Sequence, residues 1–296
     1  MAHAKSKPLF RFPARYGIIG CRTTEEVRRL KKVLLITSLC AVGRAGLYPQ
    51  ILAFSRAGVQ ACPLPSVLLS THTGGLGTPA KAVLTSTVAD ALEHYLSLGI
   101  KFDALLTGYL PEPTLADAIL SFVERGGADI YVCDPVMADG GRFYGGMGEA
   151  QTAALRKLAA SAHAITPNTT EAAILLGRDP SSEQDAAELA RSLAADGRCA
   201  VVTGGGGAEH IKVAVAEGAA VGELTAPRVE GKFIGTGDSF AAEFTLALLD
   251  GCGAVDAARR AVDAVSTAVG LAKLSTDDWR LGMPVEGVSR FEEGHI

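Results

Sequence analysis

The stretch Phe233-Ile234-Gly235-Thr236-Gly237-Asp238-Ser239-Phe240, running on into Ala241-Ala242-Glu243-Phe244-Thr245-Leu246-Ala247-Leu248-Leu249, decides how this chain is read. A glycine-rich turn, one carboxylate and an apolar helix follow one another without a break. Gly235 and Gly237 let the backbone approach a ligand with no Cβ in the way. The first N–H groups of the helix have no intrahelical acceptors, so they point at whatever lies above them. The helix dipole adds roughly half a positive charge at that end. Asp238 stands at the mouth of this anion hole, placed to take a proton from a hydroxyl that attacks phosphorus. The same residues also suit an ordinary capping aspartate after a glycine turn.

Working outward, strands and helices alternate from Val33 onward. Short apolar runs at Val33–Thr37, Val59–Cys62, Val67–Leu69, Ala104–Leu106, Ile130–Cys133, Ala164–Ile165 and Ala200–Val202 read as strands. Helical spacing covers Tyr48–Arg56, Lys81–Leu98, Leu115–Glu124, Ala150–Ala159, Glu171–Leu176 and Glu183–Ala195. Then Ile211–Ala216 and Gly222–Pro227 flank Glu217-Gly218 as a hairpin, and two helices close the chain, Asp238–Leu249 and Val255–Leu274. This order predicts an α/β fold with a mostly parallel sheet and helices on both faces. No separate β lid is read early in the chain. Residues 31–296 form one domain. Residues 1–30 stand apart: the first 24 carry five basic residues and no acid, which reads as a poorly ordered or transit-like extension, with a short capped helix over Thr23–Leu30.

Composition narrows the function classes. A net charge of −4 provides no basic stripe for nucleic acid. No run of 18 apolar residues marks a membrane span. The six cysteines have no CxxC spacing and read as reduced thiols, so the expectation is a cytoplasmic protein. Cys133 and Cys199 fall in strands, as packing residues. Cys40 is read in a loop, with a reactive role left open.

In open α/β sheets, ligands gather beyond the carboxyl ends of the strands. The polar residues of this chain fall there: Ser38, Ser70–Thr73, Thr107-Gly108-Tyr109, Asp134, Thr166–Asn168 and Thr203. Cys133-Asp134-Pro135-Val136-Met137-Ala138-Asp139 sets two carboxylates on one loop, a pattern that suits magnesium held by one or two carboxylates plus phosphate oxygens and equally suits turn chemistry. Asn168 and Glu171 read as a capping box, or as groups facing nucleotide phosphates and the metal. Gly204–Gly207 is a turn through which backbone amides are accessible. His72 lies on the same rim, in reach of a substrate hydroxyl or ring. Two nucleotide motifs are set aside. Gly75-Leu76-Gly77-Thr78-Pro79-Ala80 matches a dinucleotide fingerprint loosely, but contains a proline and lies outside the first βα unit. There is no Walker A lysine.

Thr71-His72-Thr73-Gly74, Leu106-Thr107-Gly108-Tyr109-Leu110, Asp134-Pro135-Val136-Met137, Ile165-Thr166-Pro167-Asn168 with Glu171, and Gly235-Thr236-Gly237-Asp238 occur in this order over most of the chain. In this the chain resembles the pyridoxal/pyridoxamine kinase group of the ribokinase superfamily. The resemblance implies a ribokinase-like fold and ATP-dependent phosphorylation of the 5′-hydroxymethyl group of a B6 vitamer. It implies Asp238 as base, with Gly235, Thr236 and Gly237 as the anion hole. It places ATP and Mg2+ at Asp134, Asp139, Asn168 and Glu171, with Thr166, Thr203 and Tyr144 on the nucleotide side and Asp134, Asp139 and Glu171 toward the metal. Ser38, Ser66, His72 and Tyr109 match positions toward the pyridine ring. A monovalent cation such as K+ and a homodimer are further expectations. Two departures stand out. Ala138 replaces the family's glycine in Asp-Pro-Val-Met-Gly-Asp, and the loop Ser38–Arg44 lacks the aspartate and Ser-Gly of the pyridoxamine-type subgroup. The rival readings are a hydroxymethylpyrimidine kinase of the same fold and a vitamin-binding or sensing protein without turnover.

Overall fold

The computed structural model describes residues 29–182, 184–194 and 198–286. The extension 1–30 and its expected helix fall outside these, apart from Arg29 and Leu30, which are not helical. In chain order the elements are β1 (Lys32–Ile36), β2 (Ser38–Val42), α1 (Leu47–Arg56), β3 (Gln60–Pro63), β4 (Val67–Thr71), β5 (Lys81–Val83), α2 (Thr85–Ser97), β6 (Phe102–Thr107), α3 (Leu115–Glu124), β7 (Ala128–Cys133), β8 (Ala138–Asp139) and β9 (Arg142–Phe143). There follow α4 (Glu149–Ser161), β10 (Ala164–Ile165), α5 (Thr169–Leu175), α6 (Ala186–Leu193), β11 (Cys199–Gly205), β12 (His210–Glu217), β13 (Ala220–Pro227), α7 (Thr236–Leu249) and α8 (Ala254–Leu274), then a 3-10 turn at Trp279–Leu281.

The main sheet has eight strands in the order β13-β12-β11-β10-β7-β6-β1-β3. It is parallel from β3 to β11, and β12 and β13 add antiparallel at one edge. The strands read as unbroken apolar runs because both faces are covered. On β1, Leu34 and Ile36 face a core shared with α2 to α6, whereas Val33 and Leu35 face a second core shared with α1, α7 and α8. All four are essentially sealed from solvent, and each contributes about 1.5–3 kcal/mol by burial. The chain leaves β1 for the edge strand β3 and returns to β6 on the other side of β1. The switch point therefore opens beyond the carboxyl ends of β1 and β6.

A separate sheet, β2-β4-β5, stands over that opening, with β2 and β4 parallel and β5 antiparallel. This corrects the expectation that no small sheet occurs early in the chain. Only Thr37 separates β1 from β2, so the two strands read as one run followed by a loop. The bend between them is held by Thr37 Oγ1, which accepts from the backbone N–H of Tyr109 at 2.9 Å. Cys40 is accordingly a strand residue, not a loop residue. The expected helix Lys81–Leu98 is corrected likewise: its first turn is β5, paired with β4, and α2 starts at Thr85. The late hairpin falls where the sequence predicts it. The expected helix Glu183–Ala195 is realised as Ala186–Leu193, its outer residues Glu183 and Ala195 lying outside the described ones.

Candidate active site

Between the small sheet and the carboxyl ends of the main sheet lies a cavity of about 340 Å³. Its floor is the start of α7. Gly235 caps that helix in the left-handed region (φ +88°), and a side chain there would collide with the Arg44 carbonyl. Gly237 is different: its φ is unremarkable and a Cβ would meet nothing within 4 Å. Glycine at 235 is thus demanded by the protein, whereas glycine at 237 leaves open space above the helix amides. Asp238 lines the same cavity. Burial holds its carboxyl above the usual range, opposed by the backbone N–H of Gly46 and by His72.

Asp134 and Glu171 form the acidic wall. Both are almost fully buried. Burial lifts Asp134, and the neighbouring charges of Glu171 and Asp238 lift it further, while the Thr166 hydroxyl pulls the other way. Glu171 is pushed up to about 8, chiefly by burial, against three backbone N–H groups that favour its charged form. Those donors are Met137 and Ala138 on Oε1 and Asn168 on Oε2. Asn168 Oδ1 in turn accepts from the Glu171 N–H at 2.9 Å, completing a capping box, and its Nδ2 donates to the Ala138 carbonyl. Ala138 sits in a short extended strand, which any residue adopts, so the missing family glycine costs nothing here. Asp139 is exposed, and its Oδ1 accepts from the amide of the next residue, Gly140, at 2.8 Å.

Tyr144 leans over this wall. Burial first, then Glu171, Asp139, Asp238 and Asp134, raise its phenol. Four carboxylates acting on one phenol mark a concentration of negative charge in need of a counter-charge. Among the described residues no three acidic, histidine or cysteine side chains gather as a preformed metal cage. The donor set fits a hard cation held mainly by phosphate oxygens and water, with one or two carboxylates behind them.

The opposite wall is apolar. Cys40, Leu69, Ala45 and Tyr109 pack together there. The Cys40 thiol is pushed up to about 11 by burial and by Asp238, which disfavours the nucleophilic thiolate. Thr107-Gly108-Tyr109 is shaped by Thr37: a Cβ on Gly108 would come within 2.6 Å of Thr37 Oγ1.

Of the residues singled out in the sequence, Ser38, His72, Tyr109, Asp134, Asp139, Tyr144, Thr166, Asn168, Glu171, Thr203 and Gly235–Asp238 all line this one cavity. Ser66 does not. It is fully buried behind the wall, and its hydroxyl donates to the Tyr109 carbonyl at 2.7 Å. His72 lines the cavity with both ring nitrogens engaged: Nδ1 accepts from the Gly74 N–H at 3.0 Å, and Nε2–H donates to the Arg280 carbonyl. These partners assign the Nε2–H tautomer, and the ring's Cδ2 edge packs against Gly43. Leu69 and Gly46 were not singled out, and Cys40 was read as a loop thiol and not as part of a ligand wall. The glycine pair of Gly43-Arg44-Ala45-Gly46 was the available signal for Gly46; the alternation of β2 and β4 was the signal for the others.

The phosphomethylpyrimidine kinase family model matches residues 41–283. Pyridoxal kinase PdxY of Pseudomonas fluorescens is 31% identical over 182 residues, 60% of this chain and 63% of that relative's length. Pyridoxal kinase from Lactobacillus plantarum superposes with a TM-score of 0.82 at 32% identity, covering 90% of this chain and 99% of that one. An ADP complex of Bacillus subtilis pyridoxal kinase superposes with a TM-score of 0.70 at 25% identity, covering 81% and 92%. With its fold and its sequence in agreement, this chain belongs to the phosphomethylpyrimidine kinase family and, within the ribokinase superfamily, to the pyridoxal kinase group.

Proposed function

We propose that this protein transfers the γ-phosphoryl group of ATP to the 5′-hydroxymethyl group of a B6 vitamer. The observation that carries the reading is the position of Asp238. Its raised carboxyl stands beside the free amides of α7, between an apolar wall that suits a flat ring and an acidic wall that suits a cation-bound triphosphate. The ring packs against Cys40, Leu69 and Tyr109. Asp238 takes the hydroxyl proton, the oxygen bonds to the γ-phosphorus, and the bond from that phosphorus to the β–γ bridging oxygen breaks, releasing ADP. The amides at Gly235–Gly237 hold the charge on the moving phosphoryl oxygens. Asp134 and Glu171 are the residues that would hold Mg2+, which when bound offsets phosphate charge.

The ADP complex of the Bacillus subtilis relative supports ATP as donor, and the relatives' names support a B6 acceptor over a pyrimidine. A coupled ADP-release assay with pyridoxal, pyridoxamine, pyridoxine and hydroxymethylpyrimidine tests the reading. Turnover with a B6 vitamer at a kcat/KM at least tenfold above that for hydroxymethylpyrimidine is the expected result. A preference for the pyrimidine, or tight binding of vitamers with no ADP released, overturns it.

A further inference from the structure

The walls of the cavity are tied together by a segment that contributes no side chain to it. After α8 the chain runs from Ser275 to Glu286 along the outside of the site, and it touches three cavity loops. The Arg280 carbonyl accepts from His72 Nε2. The Met283 N–H donates to the Ile234 carbonyl at 3.1 Å, immediately before the anion hole. The Leu281 carbonyl accepts from the Arg44 N–H at 2.7 Å.

Arg44 is where this segment grips hardest. Its Nε donates to Glu286 Oε1 at 2.8 Å, its Nη1 to the Gly282 carbonyl at 3.3 Å and its Nη2 to Asp277 Oδ2 at 3.3 Å. The same Glu286 oxygen accepts from Tyr48 OH on α1 at 2.7 Å. Gly282 (φ +88°) permits the close approach, since a Cβ there would lie 2.9 Å from the Arg44 carbonyl oxygen. On its other side the Arg44 carbonyl abuts Gly235, and two residues on Gly46 lines the cavity beside Asp238, where its backbone N–H favours the charged carboxyl. One short loop therefore touches both the anion hole and the base, and its outer face is clamped by a guanidinium fork, whose planar geometry suits several fixed acceptors at once.

We infer that Arg44 is a positioning residue: clamped by the segment Asp277–Glu286, it holds the Gly43–Gly46 loop so that the Arg44 carbonyl backs Gly235 and the Gly46 backbone stays beside Asp238. The inference rests on the reading of Asp238 as the base. The segment has its own anchorage, because Met283 and Val285 pack with Ala268, Leu52 and Phe233. Loss of the guanidinium therefore loosens the loop without unfolding the chain.

The test compares Arg44→Ala, Arg44→Lys and Glu286→Gln with the full-length wild type, by steady-state kinetics and by 13C NMR titration of the Asp238 carboxyl, assigned with Asp238→Asn. Arg44→Ala is expected to lower kcat about 10- to 100-fold, the effect of a misplacement on the order of 1 Å, with KM for ATP and vitamer little changed. The Asp238 midpoint is expected to rise, because the Gly46 N–H that stabilises its charge is released. His72, Asp134, Tyr144 and Cys40 also face Asp238 and are unaltered by the substitution. Arg44→Lys restores part of the rate, and Glu286→Gln gives a smaller loss in the same direction. Wild-type kcat with an unmoved Asp238 midpoint in Arg44→Ala overturns the inference, as does a loss confined to KM. A moved midpoint in a protein whose wild type turns over none of the substrates would instead discard the kinase reading and keep the clamp.

Discussion

Glu171 Oε1 accepts the backbone N–H of Met137 at 3.0 Å, and this bond joins the start of α5 to the loop that carries Asp134. The bond favours an ionised Glu171, yet burial outweighs it and the carboxyl rises to about 8 from an ordinary 4.5. Between those two values the folded protein holds a proton that the unfolded chain has released. Stability therefore falls as pH rises through that window, and the full penalty is present above about 8. Glu171→Gln removes the penalty but faces the Asn168 N–H with an amide, losing about 1 kcal/mol of hydrogen bonding. The variant is expected to melt lower than wild type at pH 5 and to gain on it steadily toward pH 9. Melting curves across that range check this, and a gap that does not vary with pH would refute it.

Asp238→Asn keeps the shape of the side chain and removes its basicity. Turnover is expected to fall about 10²- to 10⁴-fold, the span typical of losing a general base. The melting temperature at pH 8 should stay level or rise, because a buried carboxyl held above its usual range destabilises the fold when ionised. Near-wild-type kcat in this variant would remove the proposed mechanism.

Ser66→Ala separates a wall residue from a ligand contact. The Ser66 hydroxyl donates to the Tyr109 carbonyl from a fully buried position. Its loss is expected to destabilise the chain by about 1–2 kcal/mol, seen as a melting temperature a few degrees lower. KM for the vitamer should change less than about threefold, under 1 kcal/mol of binding. A large rise in KM with no thermal effect would instead place Ser66 in direct contact with the ring.

The main sheet was legible because its strands are buried on both faces and read as apolar runs, and because glycines and capping residues punctuate the helices between them. The small sheet was not. β2 continues from β1 across the single residue Thr37, and β5 has a helix-like composition, so only tertiary pairing separates them from their neighbours. Polar site residues were legible from their place after strand ends. The apolar wall was not: Cys40 and Leu69 look like any core residue until β2 and β4 are paired. The clamp on Arg44 joins positions more than 230 residues apart in sequence, and no local pattern encodes such a contact.

Gly235 and Gly237 belong to one motif but are expected to fail in opposite ways. At Gly235 the backbone is left-handed and a methyl group would strike the Arg44 carbonyl, so Gly235→Ala must distort the loop. Both stability and kcat should fall, the former by about 1–3 kcal/mol as for other residues forced into that region. At Gly237 the backbone is compatible with any residue and a Cβ meets open space. In the first turn of α7, alanine there should hold or raise stability, by up to about 1 kcal/mol on helix propensity. The methyl group nonetheless enters the space in which the transferred phosphoryl group would sit. Gly237→Ala is therefore expected to melt at or above the wild-type temperature while losing turnover, with KM for the vitamer much less affected. Side-by-side melting curves and ADP-release rates decide it. If Gly237→Ala turned over normally, the space above the α7 amides would not be where the phosphoryl group travels.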